Sequence, residues 1–154
     1  MRYILWIILA VAAYGTMRHR QDEQAAKQYP TLNGSHQAPD DGRDWALVKA
    51  IEWVESRGNP EAVGDKGQAV GCLQIHPALV EEVNRILGRK EYTVQDRSNP
   101  AKSYEMFWVY ADKYSYGESR QVIARRWNGG PDGDSERATT GFWDRVRSRL
   151  HTQK

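Results

Sequence analysis

The chain has 154 residues, 27% charged and 40% hydrophobic, which suits one folded domain with appendages. A net charge of +2 and a pI near 8.7 are too mild for a nucleic-acid footprint; they fit either contact with an anionic surface such as a cell wall or a plain mixed-charge exterior. One cysteine, Cys72, excludes an internal disulfide and a cysteine-rich zinc site, and His19, His36, His76 and His151 lack metal-ligand spacing, so neither metal nor cofactor is expected.

Residues 3–17 form an uncharged, largely apolar run behind Arg2. As a helix it would span roughly 22 Å, less than the roughly 30 Å of a bilayer core. That length fits a signal peptide, with Ala10-Val11-Ala12 as a small-residue cleavage site. Tyr3, Trp6 and Tyr14 also suit the interfaces of a short membrane anchor, and Arg18 and Arg20 argue against simple export. Residues 1–20 are thus expected to be a signal peptide or an anchor, and either places the rest outside the cytoplasm, in the periplasm or facing it. Residues 21–43 read as a flexible linker, with Asn33-Gly34-Ser35 and Ala38-Pro39-Asp40-Asp41-Gly42 as turn chemistry.

Residues 44–150 are expected to fold as a mainly α domain. Trp45, Val48, Ile51 and Val54 recur at helical spacing between Asp44, a plausible N-cap, and the stop Gly58-Asn59-Pro60. Between Ala62 and Ile75, Gly64, Gly67 and Gly71 indicate a loop or short hairpin. Leu79, Val80, Val83, Ile86 and Leu87 mark a second helix between Pro77 and Gly88. Asn99-Pro100 opens a third, with Tyr104, Phe107, Trp108, Ala111 and Tyr114 inward. Val122, Ile123 and Trp127 mark a fourth, ended by Gly129-Gly130-Pro131, and Phe142, Trp143, Val146 and Leu150 a fifth. Most of the domain's tryptophans are expected in the core, with one or two free to line a groove for sugar rings.

Glu55 extends the first helix's apolar stripe to its C-terminal end. Partial burial and the nearby helix carbonyls would both raise its pKa, as a general acid working near neutrality requires. On periodicity alone, a frayed and solvated helix-end glutamate remains the competing reading.

Three ordered segments add to this: Glu55-Ser56-Arg57-Gly58-Asn59-Pro60, Gly71-Cys72-Leu73-Gln74-Ile75-His76-Pro77, and Arg126-Trp127-Asn128-Gly129-Gly130-Pro131. Together they resemble the lysozyme-like lytic transglycosylases of the soluble lytic transglycosylase type. That family carries a Glu-Ser motif, then Gly-Leu-Met-Gln, then Ala-Tyr-Asn-Ala-Gly. The resemblance covers about residues 45–147. It implies that Glu55 is the sole catalytic acid/base, that Ser56 helps orient the site, that Gln74 faces the glycan groove and that Asn128 binds sugar. Each of the last three has a local alternative: Ser56 as a helix-end hydrogen-bonder, Gln74 as a helix-entry residue, and Asn128 as a left-handed cap. His76 is expected to cap or pack near the second helix.

The sequence departs from the family at Cys72-Leu73, at Trp127 and Gly129, and near the C-terminus. There Phe142 or Trp143 stands where many members place a tyrosine that approaches the glutamate. The implied reaction is non-hydrolytic cleavage of peptidoglycan to 1,6-anhydro ends by one carboxylate, whereas most glycoside hydrolases need two. Glu61 and Asp65 are the nearest downstream acids. Two other readings stay open: a goose-type lysozyme in which Asp65 positions a water, and a catalytically idle glycan-binding component of a wall-spanning machine. The setting fits a phage lysis or genome-entry enzyme, or a secretion or conjugation apparatus.

Overall fold

The computed structural model describes residues 42–152. The expected signal peptide or anchor and nearly all of the linker lie outside the described residues. Among those described, no helix is long and apolar enough to cross a membrane.

Five α-helices follow in order: α1 (Trp45–Ser56), α2 (Pro77–Leu87), α3 (Pro100–Ser115), α4 (Arg120–Gly129) and α5 (Thr140–Thr152). Their starts follow the sequence signals. The Asp44 carboxylate accepts from the Leu47 N–H at 3.2 Å, and the Asn99 side chain accepts from that of Lys102 at 3.3 Å, so both cap otherwise unpaired first-turn donors. Pro77 and Pro100 occupy first-turn positions, where a missing N–H costs nothing. At its other end α1 stops on Arg57, whose left-handed backbone returns its N–H to the Trp53 carbonyl at 3.1 Å.

The glycine-rich stretch is a hairpin. Strands β1 (Val63–Gly64) and β2 (Ala69–Val70) pair antiparallel, with Val63 opposite Val70 and Gly64 opposite Ala69. A second turn bridges Val70 back to Ile75. Short 3-10 turns at Val94–Ser98 and Arg137–Thr139 complete the chain path.

Helix α3 is the centre of the domain. Residues Ser103 through Ala111 are all buried, so α3 is covered on every side and lacks the single inward stripe expected of it. Helices α2 and α4 pack on α3, and α1 packs most extensively on α5. Leu47, Ile51, Leu73, Val83, Met106, Phe107 and Val146 are each fully enclosed. The α1 core face is centred on Leu47, Ala50 and Ile51, while Val54 stays half-buried. Of the domain's five tryptophans only Trp108 is buried, fewer than expected. This arrangement is mainly α with one short hairpin, as expected.

Candidate active site

Glu55 lies in the last turn of α1, half-buried at the floor of a cleft of about 820 Å³. Burial pushes its carboxyl from an ordinary 4.5 up to about 7; the Trp127 indole N–H and the Arg145 guanidinium nearby pull it part-way back. The group is therefore set by α1, α4 and α5 together. A carboxyl near 7 can both give and take a proton at neutral pH, as acid/base work requires.

An aromatic chain fixes Trp127. Trp45 packs edge-on to Trp108 at 5.9 Å, Trp108 to Phe107 at 4.9 Å, and Phe107 lies 4.9 Å from Trp127. Tyr110 follows at 6.0 Å from Trp127, and Tyr114 at 4.9 Å from Tyr110, where the chain opens into the cleft. Ring pairs in these offset and edge-on geometries contribute about 0.5–1.5 kcal/mol each beyond burial. The donor facing Glu55 is thus anchored through the core.

The hairpin forms the facing wall, and three contacts hold it. The Ser56 hydroxyl donates to the Cys72 carbonyl at 2.7 Å, tying the end of α1 to the turn. Ser56 does not line the cleft; it lies behind it, on the turn that carries Gln74. Gly71 adopts φ +85, and a Cβ there would lie 1.8 Å from the Arg97 carbonyl oxygen, so only glycine allows this approach. From the other side Arg97 donates to the carbonyls of Gln68 at 2.8 Å and Ile75 at 3.1 Å. Cys72 and Leu73 point into the core from this turn, which leaves Gln74 toward the cleft.

Gln74 lines the cleft, but its amide nitrogen is engaged with the carbonyls of Ala62 at 3.2 Å and Gly71 at 2.9 Å. Its Oε1 sits where a side chain on Gly64 would be, only 2.3 Å from that Cβ position. Asn128 lies exposed on the cleft wall within α4. It is helical, so its alternative reading as a left-handed cap does not apply; α4 ends at Gly130, at φ +87 and ψ −175. His76 stands at the N-cap position of α2 but makes no side-chain cap; its Nε2 faces Asp65 at 3.6 Å, within the same cleft. Across from them, Glu82 is held by Arg85, at 2.6 and 2.7 Å, and by the Tyr114 hydroxyl, which together press its carboxyl down to about 2. Phe142 is buried and carries no hydroxyl toward Glu55. Among the described residues no cluster of His, Cys, Asp and Glu is suited to a metal.

The cleft thus gathers Glu55, Gln74 and Asn128 from three separate segments, with Ser56 bracing the frame behind them. The family model described as "Transglycosylase SLT domain" matches residues 35–131, well over half the chain. The chain belongs to this family. No curated protein matches it, and no solved structure does. The family match implies peptidoglycan as the substrate and supports a lytic transglycosylase-type activity in general.

The matched stretch holds Glu55, Gln74, Trp127 and Asn128, whereas Arg145 on α5 lies beyond it. Sequence reasoning missed two partners of Glu55. Trp127 was visible as the departure from the third motif's tyrosine, and an indole N–H was the signal. Arg145 reaches Glu55 only because α5 packs on α1, and no local pattern announces that contact.

Proposed function

We propose that this domain cleaves the β-1,4 bond between N-acetylmuramic acid and N-acetylglucosamine without water, with Glu55 as acid and then base. The observation that carries this reading is the Glu55 carboxyl raised to about 7 at the floor of the cleft. Protonated Glu55 gives its proton to the glycosidic oxygen as the bond from C1 breaks and positive charge builds on the sugar ring. The resulting carboxylate takes the proton of the muramyl 6-hydroxyl, whose oxygen bonds to C1. Glu55 ends protonated, ready for the next turnover, and the product carries a 1,6-anhydro end. The Trp127 N–H and Arg145 favour the carboxylate that exists between the two proton transfers, the moment when charge stabilisation counts most. Acid/base catalysis contributes about 10² to 10⁴ in rate. Binding along the cleft, with Asn128 and Gln74 toward the sugar and Tyr110 and Tyr114 on the wall, must supply much of the rest.

One observation favours a second reading: Asp65 shares the cleft with Glu55, as a goose-type lysozyme positioning a water would require. Digesting purified sacculi and weighing the fragments by mass spectrometry separates the two. Anhydro ends, lighter by one water, support the transglycosylase; reducing ends establish the hydrolase. An idle glycan-binding role would leave sacculi intact, and wall-dependent function would then survive Glu55→Gln. Because the substrate lies outside the cytoplasmic membrane, we place the domain in the periplasm or facing it, delivered by residues 1–20. Mass spectrometry of the mature N-terminus distinguishes cleavage from anchoring.

A further inference from the structure

A second pocket, of about 470 Å³, opens between the end of α1 and α5. That volume is within the range small ligands occupy. Arg57, Arg145 and Arg149 all line it. Two of these guanidinium groups lie over the Trp53 ring, Arg149 at 4.1 Å from its centroid and Arg57 at 5.2 Å. Among the described residues none of the three is ion-paired. The wall's one carboxylate, Asp144, is engaged by Arg147 at 3.1 Å. The Arg149 Nε is buried with no hydrogen-bond acceptor, so it has lost water and the Trp53 face replaces it only in part.

In a chain whose net charge is only +2, three guanidinium groups lining one pocket, two of them over its indole and only Arg145 facing a carboxylate, that of Glu55, concentrate positive charge at a single place. The missing component is an oxygen acceptor with negative charge, and guanidinium forks match a carboxylate in the plane. The indole adds an apolar surface that a bare phosphate would not use, while a peptide carboxylate brings its own alkyl groups.

We propose that this pocket binds the free carboxylate of a peptide stem attached to the glycan strand, an accessory site lying apart from the Glu55 cleft. The proposal rests on the reading above that peptidoglycan is cleaved here. It makes the domain prefer peptide-bearing strands and hold them at two points.

The test uses the full chain and the double variant Arg57→Gln/Arg149→Gln. Arg145 is left in place because it acts on Glu55. A soluble stem tripeptide with free carboxylates, and its fully amidated form, are titrated by calorimetry. The free-carboxylate peptide should bind, and binding should weaken about tenfold or more both on amidation and in the double variant, with unchanged melting temperature. Arg149→Lys, which keeps the charge but not the fork, should recover part of the loss. On sacculi against peptide-stripped strands, the wild type should show a KM about tenfold lower for the former, a preference lost in the double variant while cleavage of stripped strands is unchanged. Equal peptide binding by wild type and double variant overturns the proposal, as does binding of a glycerol phosphate oligomer in place of the peptide. The titration reads no cleavage, so a failure of the proposed activity and a failure of this pocket give different results.

Discussion

Replacing Glu55 with glutamine should stabilise the protein at neutral pH while abolishing its activity. In the folded chain the Glu55 carboxyl keeps its proton up to about pH 7, whereas in the unfolded chain it releases it near 4.5. Between those values the unfolded state binds fewer protons, so wild-type stability falls as pH rises. The group's favourable contribution is complete below 4.5 and gone above 7. At about 1.4 kcal/mol per pKa unit this amounts to roughly 3 kcal/mol. Solvent in the open cleft should reduce it to about 2 kcal/mol. Urea unfolding of both proteins from about pH 4 to pH 8 measures the effect, because every other titrating group cancels in the difference. The advantage of Glu55→Gln should grow by about 2 kcal/mol across that window and then level off. A difference that stays flat with pH would mean that Glu55 is solvated, and the acid/base argument would lose its foundation.

Trp127→Phe keeps the ring stack but removes the N–H that favours the ionised carboxyl. Cleavage depends on protonated Glu55, so the fall in kcat/KM at high pH should move upward by about one pH unit, read from the clearing of sacculi suspensions. Gly71→Ala places a Cβ 1.8 Å from the Arg97 carbonyl at φ +85, and should cost roughly 3 kcal/mol or more in thermal or urea unfolding. Asp65→Asn weakens the contact with His76 but should change kcat less than about twofold. A loss of a hundredfold, with reducing ends in the wild-type products, would favour the hydrolase.

The helices were legible because their ends are written in local chemistry. Asp44, Pro77, Asn99 and Pro100 fix N-termini whatever surrounds them, and the glycines between Ala62 and Ile75 allow a tight hairpin but no helix. The burial of α3 on all sides was not legible, since a periodic stripe assumes one wet face and only tertiary packing removes it. In the site, Glu55, Gln74 and Asn128 all line one cleft. Ser56 turned inward because the Cys72 carbonyl competes for its hydroxyl, a partner sixteen residues away. Asn128 remained helical because α4 runs on through Gly129 and ends at Gly130, whose positive φ of +87 a glycine adopts at little cost. Arg145, and the arginine pocket beside it, depend on how α5 lies on α1. Contacts of that range leave no mark on spacing.

The most direct measurement is the titration of the Glu55 side chain itself, followed by its ¹³C carboxyl resonance in the folded protein and assigned by its disappearance in Glu55→Gln. A midpoint near 7 is predicted, set by burial against the Trp127 N–H and Arg145. A midpoint at the ordinary 4.5 would contradict the account, because a carboxyl already ionised at neutral pH has no proton to give the glycosidic oxygen.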